Sequence, residues 1–210
     1  MDIRYSENET KEKIFETIKC MIINRGGLDK GKNVDIKTLK DQDYVRNNLT
    51  KLDDDTYEMK VLHNSDGEDK TYDRTKIIIR FIEHKISDIN HNHTFFFDFI
   101  KVYQANYKFL ICDGLEKKAH KVLRRYTNFE AFEKTKLIED YMKNLAAPQY
   151  CCVVDDTDIK HIIGNESVKI LPKLHLFDPQ ALYFNVRKGQ ILRIVRKNLN
   201  IPDITYRLVE

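Results

Sequence analysis

The run Ile77-Ile78-Ile79-Arg80-Phe81-Ile82 constrains this chain most. So few polar positions leave no solvent face, and the segment reads as a buried strand. Phe109-Leu110-Ile111-Cys112 repeats the pattern, and Phe95-Phe96-Phe97 with Phe99-Ile100 reads as a further buried strand between them. A helix precedes all three. Ser6 and Glu9 have capping-box spacing, and Ile14, Phe15, Ile18, Met21 and Ile22 form one apolar stripe that Arg25-Gly26-Gly27 ends.

Between Asp29 and Asp73 the sequence is polar, with loops expected at Lys30–Asn33 and Asn64–Asp69. After Phe109–Cys112, Asp113-Gly114 turns into a helix on which Leu115, Ala119, Val122, Leu123 and Tyr126 share a face. Lys117, Lys118, Lys121, Arg124 and Arg125 occupy the opposite one. A short extended segment at Phe129–Phe132 and a helix over Leu137–Leu145 follow. Ala146-Ala147-Pro148 interrupts the helical pattern, and short strands, tight turns and one short helix replace the longer units after it. The reading is α+β in two modules, 1–147 an N-terminal α/β module and 148–210 a small mixed-sheet module.

Composition narrows the function. A hydrophobic fraction of 41% supports a packed core, and 33% charged residues give a solvated surface rather than a disordered chain. A formal net charge of only +3 excludes coating nucleic acid by bulk charge, so any such contact must come from a local basic face. No apolar stretch is long enough to span a bilayer, and Met1–Ser6 lacks a secretory apolar run. Cys20, Cys112, Cys151 and Cys152 have no C-x-x-C spacing, which argues against a zinc ribbon and for reduced thiols in an intracellular chain.

The C-terminal segment is the most articulate. Asp178 is placed to cap a helix whose first residue is Pro179, and that helix ends in Tyr183-Phe184. Arg187-Lys188-Gly189 turns, Gln190–Arg196 forms a strand, and Asp203–Val209 its partner. Alternation puts Ile191, Arg193 and Val195 on one face and Leu192, Ile194 and Arg196 on the other. Leu171-Pro172, Asp178-Pro179, Tyr183-Phe184, Lys188-Gly189-Gln190, Arg196 and Tyr206-Arg207-Leu208-Val209 follow one another in order. This series resembles the assembly module of the common fifth subunit of eukaryotic nuclear DNA-directed RNA polymerases. The archaeal and large-DNA-virus counterparts of that subunit belong to the same family. Asn185 stands where that family has glycine, and Tyr150–Asp156 stands where it has a His-x-Leu-Val-Pro-x-His stretch.

The resemblance implies a non-catalytic subunit with no cofactor, metal or catalytic residue of its own. It implies docking on the largest polymerase subunit through Leu171, Pro172, Asp178, Pro179, Tyr183, Phe184, Arg187, Lys188, Gly189, Gln190, Arg193, Arg196, Tyr206 and Arg207. It also implies an N-terminal jaw near downstream duplex DNA, with Lys117, Lys118, Lys121, Arg124 and Arg125 as the DNA-facing cations. The compartment implied is the nucleus for a cellular chain, or a viral factory and virion for a viral one. For Tyr183 and Phe184, burial in the module and anchoring at an interface both fit the sequence.

Two other chemistries match short stretches of the chain. His91-x-His93 has the spacing of two metal ligands on a strand, without a third ligand in view. Glu83-His84-Lys85 resembles half of a metal-dependent nuclease site, which would need Asp66, Asp69 or Asp73 as an upstream acidic ligand. A nuclease or DNA-repair enzyme built on the N-terminal module is therefore the alternative function.

Overall fold

The computed structural model describes residues 5–25, 39–62, 74–89, 94–126, 128–138, 140–143, 150–154, 156–198 and 201–210. They form two compact units, Met1–Glu139 and Asp140–Glu210. The segment Ala146-Ala147-Pro148, the loops at Lys30–Asn33 and Asn64–Asp69, and His91-x-His93 lie outside the described residues. Among the described residues no helix is long and apolar enough to cross a membrane.

The first unit is a mixed sheet covered on both faces. Helix α1 (Glu7–Arg25) leads to the short α2 (Tyr44–Asn48), then β1 (Leu49–Lys51), β2 (Thr56–Leu62) and β3 (Arg74–Ile86). Next come α3 (Thr94–Val102), β4 (Tyr107–Leu115), α4 (Lys117–Leu123), β5 (Phe129–Glu133) and α5 (Lys134–Ile138). The sheet order is β1-β2-β3-β4-β5, antiparallel up to β3 and parallel from β3 to β5.

The capping box of α1 forms as its spacing requires. Ser6 N–H donates to Glu9 Oε2 at 2.7 Å and Glu9 N–H to Ser6 Oγ at 3.3 Å. The stripe from Ile14 to Ile22 is buried, and Phe15 meets Phe81 edge-on at 5.6 Å between ring centroids, fixing α1 on one sheet face. At the C-terminal end of α1, Arg25 makes two bonds to Glu130 on β5, at 2.6 and 2.9 Å, while Tyr107 Oη donates to the same carboxylate at 2.6 Å. Both charged side chains are almost fully buried, at 6% and 5% exposure. A buried pair with its lone pairs occupied tolerates the low dielectric that would expel either charge alone.

The opposite face carries Ile78, Ile82, Leu110, Cys112 and Ala131, which pack against Phe96 and Phe99 of α3 and Ala119 and Leu123 of α4. Here the structure corrects the sequence reading. Phe95–Ile100 is helix, because β3 and β4 are parallel and the chain between them must cross back over the sheet. Phe96, Phe99 and Tyr103 carry the helical spacing, with Asp98 and Lys101 exposed between them. The helix expected over Leu137–Leu145 is also corrected. α5 starts earlier and stops at Ile138, and a single 3-10 turn follows at Tyr141–Lys143.

The second unit contains β6 (Tyr150–Val153), α6 (Asp156–Ile163), a 3-10 turn (Val168–Ile170), β7 (Lys173–Leu174), α7 (Pro179–Tyr183), β8 (Ile191–Asn198) and β9 (Ile201–Val209). Its sheet runs β6-β8-β9-β7, with only the β7–β9 pair parallel. Two α-helices stand where one was expected. Ile159 and Ile162 of α6 pack on Ile191, Leu208 and Val154, closing one side of the sheet.

Candidate protein-interaction site

The site is built around α7. Asp178 holds an extended backbone, and its side chain accepts from Gln180 N–H at 2.9 Å, with Pro179 in the first turn. The helix stops in a Schellman motif. Val186 N–H reaches back to Ala181 O at 2.9 Å and Asn185 N–H to Leu182 O at 3.1 Å. Asn185 sits at φ +48°, the left-handed region where glycine is favoured and asparagine is the best-tolerated side chain. The departure from glycine at this position therefore preserves the backbone. Ala181 and Val186, the apolar pair such a motif uses, are both fully buried.

The basic turn then closes the sheet. Arg187 N–H donates to Gln190 Oε1 at 2.6 Å, Gly189 N–H to Val209 O at 2.9 Å, and Val209 N–H to Gln190 O at 2.9 Å. Gly189 takes φ +89°, which a side chain would strain. Pro172 enters from the other end, where its carbonyl accepts from Leu208 N–H at 3.0 Å. Thus Leu171-Pro172, Lys188-Gly189-Gln190 and Leu208-Val209, far apart in sequence, meet at one end of one sheet.

The side chains divide into inward and outward sets. Tyr183 and Phe184 point inward, at 4% and 5% exposure, and Tyr183 Oη donates to Asp140 Oδ1 at 3.0 Å. Leu171 packs against the cluster under α6. Pro172, Pro179, Arg187, Lys188 and Gly189 are exposed, whereas Asp178, Gln190, Arg193, Arg196, Tyr206 and Arg207 are half-buried. The cations do not share a face. Strand register places Arg193 opposite Tyr206, and Arg196 and Arg207 on the reverse side opposite Asp203 and Leu192. Sequence reading passed over Asp140, although its bond to Tyr183 makes it part of this unit; a lone aspartate 43 residues away gives no local signal.

In the first unit, α4 is shorter than the sequence suggested. Leu115 ends β4, and Arg124 and Arg125 follow the helix. Lys117, Lys121 and Arg125 are exposed, Arg124 is half-buried, and Lys118 is engaged with Asp88 at 2.8 Å. On the same helix burial, aided by Arg124, pushes the His120 imidazole down to about 4, so it is neutral near pH 7 and adds no charge here. Glu83 and Lys85 lie exposed near the end of β3, with Lys85 paired to Glu116 at 2.7 Å. Asp66, Asp69 and Asp73 are outside the described residues. Among the described residues no group of three or more His, Cys, Asp or Glu side chains could hold a metal ion.

A family model described as RNA polymerase Rpb5, C-terminal domain, matches residues 148–209. This segment belongs to the RNA polymerase subunit 5 family. Residues 148–209 are thus similar to the C-terminal domain of a family of DNA-directed RNA polymerase subunits. The match spans the sheet of the second unit, α6, α7 and the basic turn. No curated protein sequence matches the chain.

Proposed function

We propose that this subunit docks on the largest polymerase subunit through its C-terminal module and contributes its N-terminal module to the lower jaw beside downstream DNA. The observation that carries the docking half is the coincidence of the Rpb5 match with the sheet end where the motif residues converge. The outward residues there, Pro172, Pro179, Arg187 and Lys188, offer a rim of rigid and cationic groups suited to an acidic partner surface. Tyr183 and Phe184 support that rim from beneath. The test is affinity purification from transcribing cells in salt that strips weak DNA binders. The tagged chain is expected to bring down the large polymerase subunits in stoichiometric amount. Recovery of mostly monomeric chain with no polymerase subunit would overturn the assignment.

The jaw half is supported by the exposed cations of α4. Lys117→Glu with Lys121→Glu should leave folding intact, since both side chains are solvent-facing and Ala119 and Leu123 supply the buried face. Polymerase assembled with the variant should hold duplex DNA less tightly. The log–log salt slope should fall by about one unit per lost phosphate contact, irrespective of DNA sequence. Normal assembly with unchanged affinity and slope would remove α4 from the DNA path.

A further inference from the structure

The sheet of the C-terminal module ends unevenly. β8 pairs with β9 from Ile201 to Leu208, whereas β7 covers only Leu208 and Val209. Among the described residues no strand lies beside β9 from Pro202 to Tyr206 on the edge away from β8. The bonds at the covered end show which groups lie on that edge. Leu208 N–H donates to Pro172 O and Glu210 N–H to Leu174 O, so even-numbered residues direct their main-chain groups away from β8. Val209 N–H bonds Gln190 O, so odd-numbered residues serve the β8 ladder. By the two-residue period, Pro202 C=O and the N–H and C=O groups of Ile204 and Tyr206 face outward. Pro172 has no N–H to offer Tyr206 C=O, so β7 cannot continue along the edge.

Such an edge is a template for another strand, and natural proteins usually guard it with charge, proline or cover. Pro202 guards one end here, but Ile204 is 42% exposed and brings an apolar flank instead of a charge. Tyr206 shares its face. On the reverse face Arg207 leans toward β7, its Nη1 only 3.4 Å from Lys173 O, a long bond that leaves the guanidinium available to a carboxylate.

We propose that the β9 edge takes up an extended segment of another polymerase subunit as an added strand. The segment would place an apolar residue beside Ile204 on one face and an acidic residue beside Arg207 on the other. This rests on the reading of the chain as a polymerase subunit. Residue-resolved hydrogen–deuterium exchange on the full chain, free and in purified polymerase, tests it. In the free chain the Ile204 and Tyr206 amides exchange fast while Thr205 and Arg207, in the β8 ladder, are slow. In the polymerase the first two slow by at least about ten-fold. Ile204→Pro, which removes an outward N–H and no β8 bond, should reduce retention in the complex at high salt. Normal assembly with Ile204 and Tyr206 still exchanging fast overturns the edge proposal and leaves the polymerase reading standing. Failure of the wild type to assemble overturns both. Protection that appears in the isolated chain as its concentration rises would assign the edge to a second copy and overturn the proposal.

Discussion

Glu130→Ala should destabilise the N-terminal module by about 3–5 kcal/mol, because it removes the one carboxylate that a buried guanidinium and a buried phenol both bond. Arg25 and Tyr107 both bond this carboxylate, and the Arg25–Glu130 pair is nearly closed to solvent. Water cannot replace the lost acceptor without opening the packing between α1 and the sheet. Chemical denaturation of the full chain reads the effect as a lower midpoint of the transition belonging to this module. Arg25→Ala combined with Glu130→Ala should cost less than the two single changes added together, since each single change already removes the interaction the two side chains share. A midpoint unmoved by Glu130→Ala would show that the pair contributes nothing to stability.

The second large effect is expected in the other module. Leu192 is fully buried on the face of β8 opposite Ile191. Leu192→Ala removes methylene contacts and leaves a cavity, at a cost of about 2–5 kcal/mol. A unit of this size has little stability to spare, so the substitution should populate unfolded C-terminal module at physiological temperature. Recovery with polymerase should fall sharply while the N-terminal module still resists limited proteolysis. Leu192→Met, which nearly conserves volume, should restore most of the recovery. Full recovery by Leu192→Ala, with the module demonstrably destabilised, would show that assembly does not need this sheet.

Sequence reading succeeded where burial leaves no choice of residue. Ile77–Ile82 and Phe109–Cys112 are covered by helices on both faces, so almost every position is apolar and the run announces itself. The capping box at Ser6 and the cap at Asp178 were legible because both are local hydrogen-bond devices with fixed spacing. Phe95–Ile100 misled for the converse reason. A short, dense apolar run fits strand or helix, and the parallel pairing of β3 with β4 decides between them. β1 and β2 gave little signal because polar residues fill the edge strand β1 and dilute the alternation of Tyr57, Met59 and Val61 in β2. In the candidate site the order of motifs was readable, but their convergence was not. The bond from Gly189 to Val209 and the one from Leu208 to Pro172 join segments that only the folded sheet brings together.

The tie between Arg25 and Glu130 also bears on vectorial synthesis. Its partners are 105 residues apart in the chain. At a translation rate of about 5–20 residues per second, roughly 5–20 s pass between the addition of Arg25 and the addition of Glu130. During that interval a complete amphipathic helix is outside or nearing the ribosome exit while the strand that will neutralise its terminal cation does not yet exist. The N-terminal module, Met1–Glu139, therefore cannot close this tie until nearly all of its own residues have been added. Until then the apolar stripe of its first helix, Ile14 to Ile22, has no complete sheet to cover it.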